Sequence, residues 1–164
     1  MAASRNGTPG AATKGEVVAE ILIVADNPLN LDLLSEMLVG RGYFVRAATN
    51  GTGAIATARS FHPDLIMLDI NMPEMNGYDV CRELKADAAT REIPVIFISA
   101  LDEAMDKVRA FGSGGADYVC KPFQLEEVLA RIEHQLGLSR LRREMEAKNL
   151  ELSAQRWEAE RARE

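Results

Sequence analysis

Short apolar runs alternate with amphipathic stretches five times between residues 20 and 137, and this alternation limits the fold more than any other feature. The apolar runs are short and rich in β-branched residues, which is typical of strands, whereas the intervening stretches repeat their hydrophobic residues at helical spacing. The predicted strands are 21–24, 43–48, 64–69, 93–99 and 116–120. The predicted helices are 30–40, 51–60, 77–86, 102–111 and 125–136.

Five strand–helix units in succession predict an α/β fold, in which a parallel sheet carries helices on both faces. The runs at 65–68 and 95–98 are apolar at every position, as strands covered on both faces require. In such sheets, ligands bind beyond the carboxyl ends of the strands. We therefore look for functional side chains where the strands end.

The length and charge of the chain indicate one globular domain with appendages. Of the 164 residues, we expect 1–18 to be a disordered leader, 19–137 to form the domain and 138–164 to be a helical linker. The linker holds seven basic and six acidic residues, which is a net charge of +1. The whole chain has a net charge of −6, so the remaining residues carry −7. This acidity argues against direct nucleic-acid binding. No apolar run approaches the ~20 residues of a membrane span, and we expect a cytoplasmic protein without membrane contact.

The segment 138–164 lacks glycine and proline and fits a heptad pattern. Its a positions are Leu138, Met145, Leu152 and Ala159, and its d positions are Leu141, Lys148, Gln155 and Ala162. Two of the four d positions are polar, which predicts a weak coiled coil. Two interpretations stay open: a homodimeric coiled coil that leads to an output domain beyond this chain, and a solvated helical tail.

The two cysteines, Cys81 and Cys120, are far apart in sequence and have no metal-site spacing. We expect buried, reduced thiols, and the sequence leaves a redox pair open as the alternative.

Polar side chains gather at the ends of the predicted strands. Asp69 closes an apolar strand, where a buried carboxylate needs a cation or solvent. Asp26 follows another strand, and the two carboxylates are oxygen ligands of the kind that Mg²⁺ prefers. Lys121 offers a positive charge for a phosphoryl oxygen and Ser99 offers a hydroxyl donor. Together these groups would allow Asp69 to act as a nucleophile that forms an aspartyl phosphate.

Four ordered motifs resemble the receiver domain of two-component response regulators. They are ILIVADNP at 21–28, DLIMLDINMPEMNG at 64–77, IPVIFISA at 93–100 and ADYVCKPF at 116–123. Any one of them would be a weak signal, but their order over most of the domain is specific. The resemblance implies a flavodoxin-like, doubly wound sheet of five parallel strands in the order 2-1-3-4-5, followed by a long C-terminal helix.

The resemblance also implies residue roles. Asp69 would be the phosphoacceptor, and Asp26, Asp69 and the main-chain carbonyl of Asn71 would bind Mg²⁺. Ser99 and Lys121 would hold the phosphoryl group.

Two further roles follow from the same resemblance. Tyr118 would be the switch aromatic that turns inward as Ser99 moves. The bond between Lys121 and Pro122 would be cis.

One position departs from the family pattern. Receiver domains normally carry two adjacent acids after the first strand, and here the first of them is Ala25. Asp26 cannot be shifted into that place, because Asn27 and Pro28 already match the positions after the pair. Loss of an outer-shell group typically costs about 10–100-fold in metal affinity or activity. We therefore predict weakened Mg²⁺ binding and slow phosphorylation, but no loss of fold.

The main functional prediction is a non-enzymatic switch that a histidine kinase phosphorylates on Asp69. A homodimer would form through the C-terminal helix, through the face of the fourth helix, fifth strand and fifth helix, or through both. The way the helix leaves the domain resembles receivers fused to cyclase, diguanylate cyclase or kinase modules. The alternative is a degenerate receiver that acts as a phosphate-independent dimerisation or docking module, which Ala25 motivates.

Enzymes of similar architecture fit poorly. A flavin-binding protein would need a hydroxyl- or glycine-rich loop at 25–28, and a haloacid-dehalogenase-type phosphatase would need Asp where the chain has Asn71.

Overall fold

The computed structural model describes residues 18–100 and 112–163. The strands are β1 (Glu20–Val24), β2 (Phe44–Ala48), β3 (Leu65–Asp69), β4 (Val95–Ser99) and β5 (Asp117–Cys120). The helices are α1 (Pro28–Val39), α2 (Gly51–Phe61), α3 (Gly77–Ala86) and α4 (Leu125–Ala162). The predicted helix at 102–111 and residues 1–17 of the predicted leader lie outside the described residues.

The five strands form one parallel sheet in the order β2-β1-β3-β4-β5, which confirms the predicted topology. Every residue of β3 and β4 is buried. Alternate residues along the central strands point into two separate hydrophobic clusters, because successive side chains of a strand face opposite sides of the sheet. Helices α2 and α3 complete one cluster, and helices α1 and α4 complete the other. The predicted helices on both faces are therefore confirmed.

Asparagine side chains begin the first three helices. The side-chain oxygens of Asn27, Asn50 and Asn76 accept hydrogen bonds from main-chain N–H groups in the first turns of α1, α2 and α3. This capping satisfies donors that have no partner within the helix. The prediction that α1 begins at residue 30 was two residues late, because Pro28 occupies the first turn, where its missing N–H costs nothing.

Helix α4 is one continuous helix of 38 residues. The predicted long C-terminal helix is confirmed, but the prediction that a helix ends at residue 136 was wrong, since α4 passes through Gly137 without a break. A single glycine within a helix costs only about 1 kcal/mol relative to alanine, and there is no proline to stop the helix. Gln135 and Ser139 are still buried against the domain, whereas every residue from 143 to 163 is exposed. Within 18–100 and 112–163, no helix is long and apolar enough to cross a membrane.

Candidate functional site

The carboxyl ends of β1 and β3 bring Ala25 and Asp69 side by side. Val24 pairs with Leu68 in the parallel register, so the next residues along the two strands are Ala25 and Asp69. Ala25 is only 1% exposed, and its N–H donates to the carbonyl of Ala48 on β2 at 3.1 Å. The position that lacks its acid is thus an interior position next to Asp69.

The ends of β4 and β5 lie beyond Asp69 at the same edge of the sheet. The N–H of Ile70 donates to the carbonyl of Ile98 at 3.1 Å, which places the end of β3 beside Ser99. The N–H of Lys121 donates to the carbonyl of Ser99 at 2.9 Å. Asp69, Ser99 and Lys121 therefore follow one another across three neighbouring strands.

Asp69 is a nearly buried carboxylate, with 4% of its surface exposed. Its Oδ1 atom accepts a hydrogen bond from the N–H of Asn71 at 3.2 Å. Asp26, by contrast, is exposed at the start of the loop after β1. Hydrogen bonds from the main chain stabilise the ionised form of a carboxylate, and an ionised Asp69 is the form that can act as a nucleophile.

The loop after β3 closes tightly over the strand end. The N–H of Gly77 donates to the carbonyl of Ile70 at 2.8 Å, so the first residue of α3 returns to the end of β3. Met72 is buried in the hydrophobic cluster below the loop, and Glu74 adopts a left-handed conformation with φ of 69°. The exposed Asn71 is therefore held between two anchored points of the loop.

The donor set at this edge fits a minimal Mg²⁺ site. Mg²⁺ usually binds one or two carboxylates and keeps several waters, and Asp26 and Asp69 provide two carboxylates. Among residues 18–100 and 112–163, no group of three His, Cys, Asp or Glu side chains is placed to hold a metal. The position directly after β1, next to Asp69, carries Ala25 and not a third carboxylate.

Tyr118 lies on β5 next to the site and is partly buried. Its ring packs against the cluster that α2 and α3 cover, and the guanidinium carbon of Arg131 lies 5.8 Å from the ring centroid. Arg131 on α4 also donates to both carboxylate oxygens of Asp117, at 3.0 and 3.1 Å. The hydrogen bond with Asp117 raises the pKa of Arg131 above its ordinary value. Arg131 thus contacts the predicted switch residue from the C-terminal helix.

Two neighbours of the site escaped the sequence prediction. Arg131 is 14 residues from Asp117 and lies on a different element, so no helix or strand periodicity links the two residues in the sequence. The Sγ atom of Cys120 lies 3.5 Å from the Oγ atom of Ser99, and Cys120 is only partly buried, although we expected a buried thiol. Both cysteines are free thiols. The expected cis bond between Lys121 and Pro122 is present.

The model of the response regulator receiver domain family matches residues 21–133. The chain belongs to this family. The matched range covers the five strands apart from Glu20, the first residue of β1, and it includes all the strand ends described above. Receiver domains of this family interact with histidine kinases, are phosphorylated in the presence of Mg²⁺, and generally are not enzymes themselves.

Curated relatives share the domain and are longer proteins. The DNA-binding dual master transcriptional regulator RpaA of Synechocystis is 45% identical over 112 residues, which are 68% of this chain and 46% of RpaA. The response regulator PleD of Caulobacter vibrioides is 42% identical over 114 residues, which are 70% of this chain and 25% of PleD. The chain thus spans less than half the length of these relatives.

A solved structure shows the same fold with a metal. The receiver domain of the sensor histidine kinase PA1611 from Pseudomonas aeruginosa has a magnesium ion coordinated in its active-site cleft. It is 32% identical to this chain, with a TM-score of 0.68 over 73% of this chain and 98% of that one.

Proposed function

We propose that this chain is the phosphoacceptor domain of a two-component system, in which a histidine kinase phosphorylates Asp69 with the help of Mg²⁺. The observation that carries the proposal is the position of Asp69. Its carboxylate is nearly buried at the end of β3, between the strand ends that carry Asp26, Ser99 and Lys121. A kinase partner also implies a cytoplasmic protein.

In the proposed reaction, a carboxylate oxygen of Asp69 attacks the phosphorus of a phosphohistidine. The new oxygen–phosphorus bond forms as the phosphorus–nitrogen bond breaks, and the imidazole leaves with the electron pair. The Lys121 ammonium pairs with a phosphoryl oxygen, and the Ser99 hydroxyl donates to another. Asp26, Asp69 and the main-chain carbonyl of Asn71 would hold Mg²⁺, which supplies positive charge to the transferring phosphoryl group.

Ala25 makes this reaction slow in the chain as it stands. A carboxylate at position 25 would add negative charge beside Asp69 and help to fix the water shell of the metal. Its absence leaves two carboxylates, and we expect weaker Mg²⁺ binding and phosphate uptake, by about 10–100-fold. Because Ala25 packs in the interior, the fold itself does not need an acid there.

The proposed signal passes from Ser99 to Tyr118 and then to α4. Ser99 would move towards the phosphoryl group and let the Tyr118 ring turn inward. Arg131 lies within reach of that ring and belongs to α4, so a turn of the ring would change a contact of the C-terminal helix. The helix would carry this change along the linker, residues 138–164, to an output domain beyond residue 164.

The chain would also form a homodimer through the exposed stripe of α4. Leu138, Leu141, Met145 and Leu152 are each at least 48% exposed, and on a helix with 100° per residue they fall within an arc of roughly 60°. Gln135, Ser139 and Arg142, which contact the domain or lie beside it, point elsewhere on the helix. Two copies of the stripe can pair through their apolar side chains, and the seven basic and six acidic residues of the linker leave little net charge to oppose this pairing.

The proposed residue division follows from these roles: a leader at 1–18, the receiver at 19–137 and the linker at 138–164. A dimer could also use the face of the fourth predicted helix, β5 and α4. Of that face, the described charged residues Asp117, Glu127 and Arg131 pair within one chain.

A second candidate function is a phosphate-independent dimerisation or docking module, and Ala25 is the observation that favours it. In that case Asp69 would remain a structural carboxylate, and the exposed stripe of α4 would provide the activity. The two functions differ in whether phosphate addition at Asp69 takes place.

The test is phosphate uptake from acetyl phosphate with Mg²⁺, followed by intact-protein mass. We expect slow uptake by the chain, uptake about 10–100-fold faster in Ala25→Asp, and none in Asp69→Asn. Uptake that persists in Asp69→Asn would place the phosphate elsewhere. An absence of uptake in the chain with recovery in Ala25→Asp would favour the docking module, and an absence in both would refute the phosphoacceptor site.

A further inference from the structure

Cys120 is the last residue of β5 and directly precedes Lys121, and the Cys120 thiol lies beside the hydroxyl of Ser99. The Sγ and Oγ atoms are 3.5 Å apart, and the two residues are direct partners in the register of β4 and β5. The next residue contacts the main chain of Ser99, since the Lys121 N–H donates to the Ser99 carbonyl at 2.9 Å. Cys120, at the end of β5, therefore contacts the side chain of Ser99, and Lys121, directly after the strand, holds its main chain.

The thiol is a weak hydrogen-bonding group, and this weakness matters for Ser99. Either atom of this contact can be the donor; where the serine hydroxyl donates its one proton, the thiol sulfur is a poor acceptor for it. A phosphoryl oxygen is charged and accepts much more strongly. Ser99 is 3% exposed, so bulk water does not compete freely for its hydroxyl before a phosphoryl group arrives. The thiol can thus hold the hydroxyl and then lose it to the phosphoryl group.

We propose that Cys120 is a positioning residue that orients the Ser99 hydroxyl in the unphosphorylated protein. Phosphorylation then requires Ser99 to exchange a sulfur partner for a phosphoryl oxygen. The inference rests on the proposed function and adds a residue that tunes its rate. A stronger partner at position 120 slows the exchange, and an apolar side chain there releases Ser99 in advance.

The second cysteine provides an internal control, because its surroundings differ. Cys81 on α3 is fully buried in the hydrophobic cluster, and burial raises the pKa of its thiol. It belongs to the packing of α3 and has no part in the proposed phosphoryl chemistry. A substitution at Cys81 therefore reports what the loss of a thiol does to the fold alone.

The experiment measures phosphate uptake from acetyl phosphate and Mg²⁺ by intact mass, in the Ala25→Asp background, where we expect faster uptake. We expect Cys120→Ala to speed uptake by about two- to fivefold and Cys120→Ser to slow it by a similar factor, as fits one weak hydrogen bond. Cys120→Val, an apolar side chain of similar size, should match Cys120→Ala. Cys81→Ala should lower the melting temperature and leave the uptake rate unchanged.

The same substitutions are then repeated with Ser99→Ala, which slows uptake by itself. If Cys120 acts through Ser99, its substitutions lose their effect in this background. The inference is overturned if the effects persist there, or if Cys120→Ala and Cys120→Ser shift the rate in the same direction. An Ala25→Asp protein that takes up no phosphate refutes the proposed function itself, whereas normal uptake without coupling between Cys120 and Ser99 refutes this inference alone.

Discussion

Gly77 lies so close to the main chain of Asp69 that a Cβ atom at position 77 would come within 2.5 Å of the Asp69 carbonyl oxygen. The same Cβ would lie 2.8 Å from the Cα of Ile70, so both contacts are with main-chain atoms that cannot swing aside. Glycine is therefore required where α3 begins, and the start of this helix is coupled sterically to the strand end that carries the phosphoacceptor.

Gly77→Ala should destabilise the domain and displace Asp69. Forcing an extra methyl group into a packed site typically costs about 1–3 kcal/mol, and here the strain falls on the end of β3. Urea unfolding should show the loss, and phosphate uptake by Ala25→Asp should fall when Gly77→Ala is added. Gly112→Ala is the matched control, because a Cβ there meets no heavy atom within 4 Å among residues 18–100 and 112–163. Equal stability of the two alanine variants would contradict the steric argument.

Ala25→Asp should lower the stability of the domain without metal and make its stability more dependent on Mg²⁺. The new carboxylate would be nearly buried beside Asp69, and two like charges in that position repel each other when no cation is present. We expect a melting temperature below that of the parent chain in EDTA, and a rise on addition of Mg²⁺ that exceeds the rise for the parent.

Ala25→Asn is the control for this prediction, because it has nearly the same size without the charge. It should show neither a stronger Mg²⁺ response nor faster phosphate uptake. A Mg²⁺ response in Ala25→Asn as large as in Ala25→Asp would mean that side-chain size, rather than the carboxylate, governs metal binding.

Asp87, after the end of α3, should contribute stability that disappears in acid. Its carboxylate accepts hydrogen bonds from the Ala89 N–H and from Arg59, and these bonds lower its pKa below the ordinary 3.8. The folded state therefore binds the proton less tightly than the unfolded state, so the contribution is complete above pH 3.8 and is lost as the pH falls through the folded pKa.

Urea unfolding at neutral pH and at acid pH can check this. Asp87→Asn should have a lower free energy of unfolding than the parent at neutral pH, and this difference should become smaller in acid. Because the Ala89 N–H is the largest single cause of the lowered pKa and does not depend on Arg59, Arg59→Gln should keep part of the pH dependence. If the difference in the free energy of unfolding between Asp87→Asn and the parent stays constant with pH, the carboxylate charge contributes nothing to stability.

The fold was predictable because the central strands leave no alternative. Strands β3 and β4 are apolar on both faces, and only a parallel sheet with helices on both sides buries them. The predicted helix end at residue 136 was wrong. Helix α4 continues to Ala162 and is exposed beyond residue 142, and the sequence shows no clear stop at residue 136. Asp69 and its strand-end neighbours were predictable because parallel strands end at one edge.

The contacts of Arg131 and Cys120 were not predictable from the sequence in the same way. Both depend on which residues of two separate elements face each other. Arg131 lies on α4 and Asp117 on β5, and the two are close only because the helix packs beside that strand. The Cys120 thiol faces Ser99 only because β4 and β5 pair in one particular register. The sequence supplies the residue types, but the register is set by packing over the whole sheet.

The exposed stripe of α4 should control self-association, and its leucines allow a test within one helix. Leu141 lies on the stripe, whereas Leu150 is more exposed and points to a different side, roughly 180° away at 100° per residue. Leu141→Glu should weaken the dimer by at least about tenfold, because two copies of the residue leave a buried contact and two charges enter it. Leu150→Glu adds the same charge and should leave the dimer intact. Sedimentation equilibrium distinguishes the two variants, and equal weakening by both would show that net charge, not the stripe, governs association.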